Sequence, residues 1–326
     1  MSDKDPAAPS DLRSSVDSAR KRRRNIFIGV GAAVAVALVV GVVIIVSTLT
    51  NSSADVAAAD DERLSLRIAT SEDSDFQTAV GEIAEEKGLD VEWVNVDDWV
   101  LPNTELAAGT VDGNAFQHIL YLSNFNAQNG EDLTPVFSTV ITQWGIFSPS
   151  LGAVDEIPDG GHIAIPDDPS NGGRALFILQ AAGLIEIAED AGDFPTVEDV
   201  TSNPKNLEFV PIAATTIPQQ FDDPSLSAVV VGLSYFDPSQ NITADSALYL
   251  DDSLDEKNLP YVNVIASRSD NADDPAWAIL EEAYADPRAA EALETEDKGA
   301  TVLVQVPVET LRDKLAELEK SAAANG

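Results

Sequence analysis

The chain has 326 residues, with 19 Lys and Arg, 56 Asp and Glu, two His and no Cys. A formal net charge of -37 disfavours a polyanionic partner such as nucleic acid, so we predict none. The lack of cysteine excludes disulfides, thiolate metal sites, cysteine nucleophiles and lipid attachment to a cysteine. A hydrophobic fraction of 44% is sufficient to form sizeable cores.

The N-terminal part combines a basic tail with an apolar segment. Five consecutive basic residues at 20–24 directly precede residues 26–46, which contain no charged side chain. At about 1.5 Å per residue, a helix over this segment spans about 30 Å, the thickness of a hydrocarbon core. Basic residues on the near side of such a helix predict a cytoplasmic N-terminus. We therefore predict a disordered cytoplasmic tail at 1–25, a transmembrane anchor at 26–48, and a linker at 49–61.

A cleaved secretory signal is the alternative to a retained anchor. The apolar region of such a signal is normally about 7 to 15 residues long and is followed closely by a cleavage site of small residues. Here the apolar run is longer, and the three alanines at 57–59 lie beyond a polar stretch. The length favours the anchor, and either reading places the body outside the cytoplasm.

The body, from residue 62 onward, alternates strand and helix patterns. Period-two alternation at 64–69 predicts a strand, apolar spacing at 76–84 predicts a helix that Gly88 ends, and alternation at 89–93 completes a βαβ unit. Later signals predict strands and helices at 163–165, 174–182, 228–231, 261–266 and 308–318. This order indicates an α/β fold with ligands at the carboxyl ends of strands, and the length of the body favours two lobes with a cleft between them.

Motifs for catalysis are missing from the body. His118 and His162 do not stand in a metalloprotease pattern, and the phosphate-binding loop, dinucleotide-binding turn and nucleophile elbow are absent. The acidic loop at 270–274 lacks the spacing of a calcium-binding EF-hand. We therefore predict a protein that is not an enzyme and has neither a cofactor nor a metal; an acidic-site hydrolase with two carboxylates is a distant alternative.

Two segments have the composition of a ligand site. Residues 166–174 follow a predicted strand and open a predicted helix, so free backbone N–H groups beside Arg174 form a receptor for a carboxylate or phosphate. Residues 111–118 are rich in amide and aromatic side chains, which orient polar ligand atoms and wall an apolar pocket. A capped helix with a surface arginine, and an ordinary turn with one buried Phe, are the equally weighted structural alternatives.

Taken together, these segments resemble the NlpA/MetQ-type substrate-binding proteins of ABC importers, the D-/L-methionine-binding family. The similar pieces occur in the order of the family and span nearly all of 64–290: 97–103, 112–118, 166–174, 195–200, 203–207 and 260–263. The resemblance implies a two-lobed periplasmic-binding-protein-like (type II) fold. We place lobe 1 at 62–145 plus 256–326 and lobe 2 at 146–255.

The resemblance also implies how the protein works. Such a protein closes on a free amino acid and presents it to a membrane permease driven by a cytoplasmic ATPase. By position in the motifs, Arg174 matches the arginine that grips the ligand carboxylate. Asn114 and Asn171 match residues that add hydrogen bonds. Three further residues match the aromatic residues that line the pocket for the ligand's side chain: Trp99, Phe116 and His118.

Three departures from the family accompany this resemblance. The lipid-modified cysteine is absent, so the segment at 26–48 would tether the body in its place. Gly232 stands where the family has a ligand-holding Asn, and Thr142 and Gln143 stand where relatives show Tyr-Pro. Gln143 is our candidate for the missing acceptor. We predict a membrane-tethered, extracytoplasmic importer component that binds methionine or a related amino acid; the alternative is a tethered sensor or adhesion protein of the same fold without a transport role.

Overall fold

The computed structural model describes residues 12–13, 64–96 and 98–325. Short turns and 3-10 segments join the strands and helices. The strands are β1 Leu64–Thr70, β2 Leu89–Asn95, β3 Gly113–Asn114, β4 Thr134–Ser138, β5 Val140–Thr142, β6 Trp144–Phe147, β7 His162–Pro166, β8 Glu186–Ile187, β9 Val200–Ser202, β10 Glu208–Ile212, β11 Ala228–Gly232, β12 Ala247–Leu250, β13 Val264–Ser267 and β14 Thr301–Leu303. The helices are α1 Asp75–Glu86, α2 Leu101–Ala107, α3 Ile119–Asn129, α4 Pro169–Ala181, α5 Ala276–Tyr284, α6 Pro287–Asp297 and α7 Val308–Asn325.

The first five-stranded sheet has the order β2-β1-β3-β13-β4. This sheet and the helices packed on it are called lobe 1. Strand β1 pairs in parallel with β2 and β3, as the predicted βαβ unit requires. Leu66 and Ile68 are buried where the alternation places them. The side chain of Ser74 accepts a hydrogen bond from the backbone N of Gln77 and so caps α1, which buries the apolar face predicted for it.

The second five-stranded sheet has the order β10-β7-β11-β6-β12, and with its packed elements it forms lobe 2. Strand β7 pairs in parallel with β10 and β11, whereas β6 runs antiparallel to β11 and β12. All five residues of β11 are buried, which is typical of a central strand covered on both faces. The strands of lobe 2 lie within 144–250, and those of the lobe 1 sheet within 64–138 and 264–267. The exact lobe boundaries stay a prediction.

Three elements differ in detail from the sequence pattern. Helix α4 begins at Pro169 rather than 174, because Asp168 caps it and proline suits the first helical turn. The strand predicted at 261–266 is β13, which begins at Val264 because Tyr261 ends a 3-10 segment. The amphipathic C-terminal helix is α7, and its apolar stripe is buried in lobe 1.

The predicted anchor at 26–48 and linker at 49–61 lie outside the described residues. Among the helices that the structure describes, none has both the length and the apolar character needed to cross a membrane. Of the predicted tail, only Leu12 and Arg13 are described. Leu12 is buried in the cluster that also contains the apolar stripe of α7, and Arg13 forms an ion pair with Asp252.

Candidate ligand-binding site

A small cavity of about 30 Å³ lies where side chains of the two lobes meet. Lobe 1 and the segments joined to it contribute Trp99, Phe116, Gln117, His118, Tyr121 and Asn263 to its lining. Lobe 2 contributes Trp144, Asn171, Arg174 and Tyr235, and Thr142 lies just before β6. A larger hollow of about 420 Å³ shares Phe116, Thr142, Tyr235 and Asn263 with this cavity. The two spaces are therefore neighbours on the same boundary between the lobes.

Arg174 is the cation of the cavity. Its side chain leaves the second turn of α4 and is 2% exposed. The guanidinium carbon lies 4.6 Å from the ring centroid of Trp144 and 4.2 Å from that of Tyr261, so two aromatic rings hold it in place. Nη2 donates to the carbonyl of Thr142 at 3.1 Å and lies 3.5 Å from Oδ2 of Asp251.

Two nitrogens of Arg174, Nε and Nη1, form no hydrogen bond with another described residue. Its Nε is buried and has no hydrogen-bond partner among the residues that the structure describes. An unpaired buried donor costs about 1–3 kcal/mol, so an acceptor that reaches Nε gains that much. Burial lowers the pKa of Arg174 and the nearby Asp251 carboxylate opposes this, but a guanidinium remains charged at neutral pH. The group is therefore oriented and charged, with a free donor.

A chain of hydrogen bonds connects the start of α4 with lobe 1. Asp168 accepts from the backbone N of Asn171 at 2.9 Å, and the side-chain Nδ2 of Asn171 donates to Oδ2 of Asp168 at 3.0 Å. Oδ1 of Asn171 then lies 3.1 Å from Nε2 of His118. Because Nδ1 of His118 accepts from the backbone N of Tyr121, the ring proton is on Nε2 and is donated to Asn171.

His118 is therefore a neutral residue of the site. Burial, and next the positive charge of Arg174, lower its pKa to about 3. Burial also raises the pKa of the lining tyrosines, Tyr121 and Tyr235, above the usual range. At neutral pH these three groups carry no charge, so Arg174 alone among the lining residues brings a formal charge to the cavity.

The remaining wall is aromatic. Trp99 lies edge to face against Tyr235, with ring centroids 5.7 Å apart, and against Tyr121 at 6.4 Å. Phe116 packs against Tyr121 at 5.8 Å in the same manner. The hydroxyl of Tyr121 donates to the backbone carbonyl of Trp99, so the polar tip of that ring is satisfied. The cavity consequently combines one cation with aromatic rings and a few neutral polar side chains.

Five of the seven predicted site residues line the cavity: Trp99, Phe116, His118, Asn171 and Arg174. Asn114 is not among the residues that line the cavity. Its Nδ2 donates to Asn103 at 2.8 Å and its Oδ1 accepts from Gln117 at 2.9 Å, so its amide is engaged within a fully buried polar cluster. Gln143 lines the larger hollow and not the small cavity, so this arrangement gives no support to Gln143 as the replacement acceptor.

The sequence analysis did not find several lining residues. Tyr121 and Asn263 lie within or beside motifs that carried the resemblance, so a closer reading of those motifs would have included them. Asn263 lines both spaces, and its side chain forms no hydrogen bond with another described residue, whereas its backbone N and O pair with Val140 and Thr139. Trp144 and Tyr235 gave no local signal.

Trp144 and Tyr235 also explain the glycine at 232. A Cβ there would lie 3.0 Å from Nε1 of Trp144 and 3.3 Å from the ring of Tyr235. The space in which a side chain at this position would stand is therefore filled by two rings. Where the family has a polar side chain at this position, the rings of Trp144 and Tyr235 occupy the space here.

Comparison with known proteins agrees with this architecture. Residues 64–304 match the model of the NlpA lipoprotein family. The D-methionine-binding lipoprotein MetQ of Escherichia coli K12 is 39% identical over 192 residues, 59% of this chain and 69% of the relative. Lipoprotein 28 of the same strain is 31% identical over 252 residues, 77% of this chain and 91% of the relative.

Solved structures give the same result. The crystal structure of the methionine binding protein MetQ superposes with a TM-score of 0.68 at 32% identity, covering 74% of this chain and 99% of that one. A nutrient binding protein from Burkholderia cenocepacia bound to methionine superposes with a TM-score of 0.67 at 31% identity, covering 73% and 99%. These relations define a two-lobed α/β substrate-binding protein, which is not an enzyme. The chain belongs to the NlpA lipoprotein family.

Proposed function

We propose that this chain is the extracytoplasmic substrate-binding component of an ABC importer, and that it binds methionine or a related amino acid between the lobes. The observation that carries the proposal is the buried Arg174 guanidinium, which lines the cavity, is held between two rings and has Nε and Nη1 free of protein partners. The names of the relatives support the ligand class, since one is called D-methionine-binding and another was solved with methionine bound.

A free amino acid matches the polar groups of this cavity. Its carboxylate would pair with Arg174 through a charge-assisted hydrogen bond. Its ammonium needs an acceptor, and the side-chain oxygen of Asn263 is one that no other described residue uses. A thioether side chain suits the rings of Trp99, Phe116 and Tyr121, because sulfur is polarisable and packs well on aromatic edges.

Binding must involve movement of the lobes. A cavity of about 30 Å³ has room for roughly one water molecule and not for an amino acid. The hydrogen bond between His118 and Asn171 and the ring contact between Trp99 and Tyr235 both join the lobes. We propose that these contacts part to admit the ligand and that the lobes close again around it by hinge motion.

Calorimetric titration of the full-length protein with methionine tests this function. Removing one partner of a buried charge pair costs about 2–5 kcal/mol, so Arg174→Ala is expected to weaken binding by a factor of about 30 to several thousand. Arg288→Ala is the matched control, because that arginine is 52% exposed and pairs with Glu86 on the surface. An unchanged affinity for Arg174→Ala, or no binding of any free amino acid by the wild type, would refute the proposal.

We also propose that the segment 26–48 anchors the protein in the membrane, with the body presented to a permease driven by a cytoplasmic ATPase. The apolar length and the preceding basic run support this. The structure places Leu12 and Arg13 against the body, which such an anchor would prevent, so a labelling experiment must decide between the two arrangements. A cysteine at Ser10 in this cysteine-free chain should be protected from an impermeant maleimide in intact cells, whereas one at the exposed Ser225 should react; equal labelling would exclude the anchor.

A further inference from the structure

A buried carboxylate lies behind the guanidinium of the site. Asp251 directly follows β12 and is 7% exposed. Its Oδ1 accepts from the backbone N of Trp144 at 2.8 Å, and its backbone N donates to the carbonyl of Trp144 at 2.9 Å. Its Oδ2 lies 3.5 Å from Nη2 of Arg174. Asp251 is therefore fixed to β6 and directed at the cation.

Asp251, Trp144 and Arg174 form one unit. Asp251 ties down the backbone of Trp144, the ring of Trp144 covers one face of the guanidinium, and the carboxylate of Asp251 meets Nη2. The Nε of Arg174 is not engaged by this unit. Asp251 does not line the cavity, so it acts on a ligand through Arg174 and not by contact.

The unit sets the charge that a ligand meets. With Asp251 ionised, the charges of Arg174 and Asp251 cancel, and the neutral His118 adds none. Burial raises the pKa of Asp251, while Arg174 and the N–H of Trp144 oppose that shift. The other carboxylate nearby, Asp168, is only half-buried and accepts hydrogen bonds from the start of α4.

A buried charge without compensation is costly, so the net charge of the filled site decides which ligands are accepted. A zwitterionic amino acid adds no net charge and leaves the site neutral. A carboxylate without an ammonium group adds one negative charge that nothing balances. Without the charge of Asp251 the preference reverses, because the simple carboxylate then neutralises Arg174 and the zwitterion leaves a net positive charge.

We propose that Asp251 is a positioning residue that makes the site select zwitterionic amino acids over simple carboxylates. The inference rests on the proposed function. Its test compares methionine with 3-(methylthio)propanoate, which has the same thioether and carboxylate and lacks the ammonium group. The full-length protein is titrated with each ligand by calorimetry at pH 7.5 and constant ionic strength.

The variants are Asp251→Asn, which keeps the size and removes the charge, and Asp251→Glu, which keeps the charge. Coupling between close buried charges is commonly worth tenfold or more in affinity. We expect the ratio of the dissociation constant for the propanoate to that for methionine to fall at least about tenfold in Asp251→Asn. The ratio should be largely restored in Asp251→Glu. Asp245→Asn is the control, since Asp245 is an exposed carboxylate of lobe 2, and it should leave the ratio unchanged.

The outcomes separate this inference from the proposed function. A folded Asp251→Asn protein with the wild-type ratio would overturn the inference, and an Asp251 that is already protonated in the native protein would give that result. Equal loss of both ligands would overturn it too. If thermal melting shows that Asp251→Asn does not fold, the test uses the wild type alone. Equal dissociation constants of the wild type for methionine and 3-(methylthio)propanoate would then overturn the inference. Failure of the wild type to bind any amino acid refutes the proposed function instead.

Discussion

The glycine at position 232 gives a steric prediction. Gly232 ends β11 with φ of -65° and ψ of 137°, which alanine adopts without strain. The added methyl group would nevertheless lie 3.0 Å from Nε1 of Trp144 and 3.3 Å from the ring of Tyr235. Trp144 is 1% exposed and packs on both Arg174 and Tyr235, so it has little room to yield. Gly232→Ala should therefore destabilise the protein.

The magnitude follows from two opposing effects. Overpacking of a buried site costs about 1–3 kcal/mol. Replacing Gly by Ala at a compatible φ gains about 0.4–1 kcal/mol by restricting the unfolded chain. We expect a net loss of about 1–2 kcal/mol in the free energy of unfolding. In the control Gly152→Ala, the new methyl would lie 3.6 Å from the nearest atom, a side-chain oxygen of Glu156, so no steric cost opposes the expected gain of about 0.4–1 kcal/mol.

The assay is urea unfolding followed by far-ultraviolet circular dichroism. A double-mutant cycle with Trp144→Phe assigns the cause, because phenylalanine lacks the Nε1 atom that the methyl approaches. The coupling energy between positions 144 and 232 should be at least about 0.5 kcal/mol, with the alanine less costly beside phenylalanine. If Gly232→Ala is as stable as Gly152→Ala, or if the cycle shows no coupling, the steric argument is wrong.

Two further predictions concern buried polar groups. Asn114→Ala leaves partners unsatisfied in its amide cluster and should cost about 1–3 kcal/mol of stability. Its methionine affinity should change by no more than about threefold, or about 0.7 kcal/mol, because Asn114 does not line the cavity and Gln117, which does, keeps its bonds to Asn103. A large affinity loss at normal stability would return Asn114 to the site. Because the pKa of His118 falls to about 3 in the folded protein, from about 6.5 unfolded, the unfolded chain binds the extra proton between these values. The stability due to neutral His118 is thus present above pH 6.5 and lost as pH falls toward 3, so the advantage of wild type over His118→Gln in unfolding free energy should shrink by up to about 2 kcal/mol from pH 6.5 to 5. A constant difference would show that the pKa of His118 is the same in the folded and unfolded states, and a growing one that the folded state holds it charged.

Local patterns predicted much of the fold because those elements depend on neighbours in the chain. The first βαβ unit is an example, since its alternation and its helix face are visible within 64–95. The start of α4 was misplaced although its signal is local. Asp168 followed by Pro169 is a helix-start signature, five residues before the predicted start at Arg174.

Residues of the cavity lining were predicted only where they lie within a local sequence motif. Asn171 and Arg174 share the start of α4, and one segment carries both Phe116 and His118. Trp144 and Asp251 are far apart in sequence and meet because β12 pairs antiparallel with β6. That pairing is a long-range property of the sheet order, which no local pattern reveals. The counter-charge of Arg174 was therefore invisible to sequence reasoning, although the arginine itself was not.

Because the cavity is small, the affinity for the proposed amino-acid ligand should depend on how strongly the two lobes contact each other. In the structure, Arg174 of lobe 2 stacks on Tyr261, and Asn171 accepts from His118, so the two lobes are in direct contact at the cavity. An amino acid that binds between the lobes as proposed would have to replace these contacts, and its apparent affinity would fall with the fraction of molecules that are open. Substitutions that weaken a lobe contact away from the ligand should consequently strengthen binding. Trp99→Ala weakens the contact with Tyr235 but also removes part of the pocket wall, so at this site the two effects oppose each other.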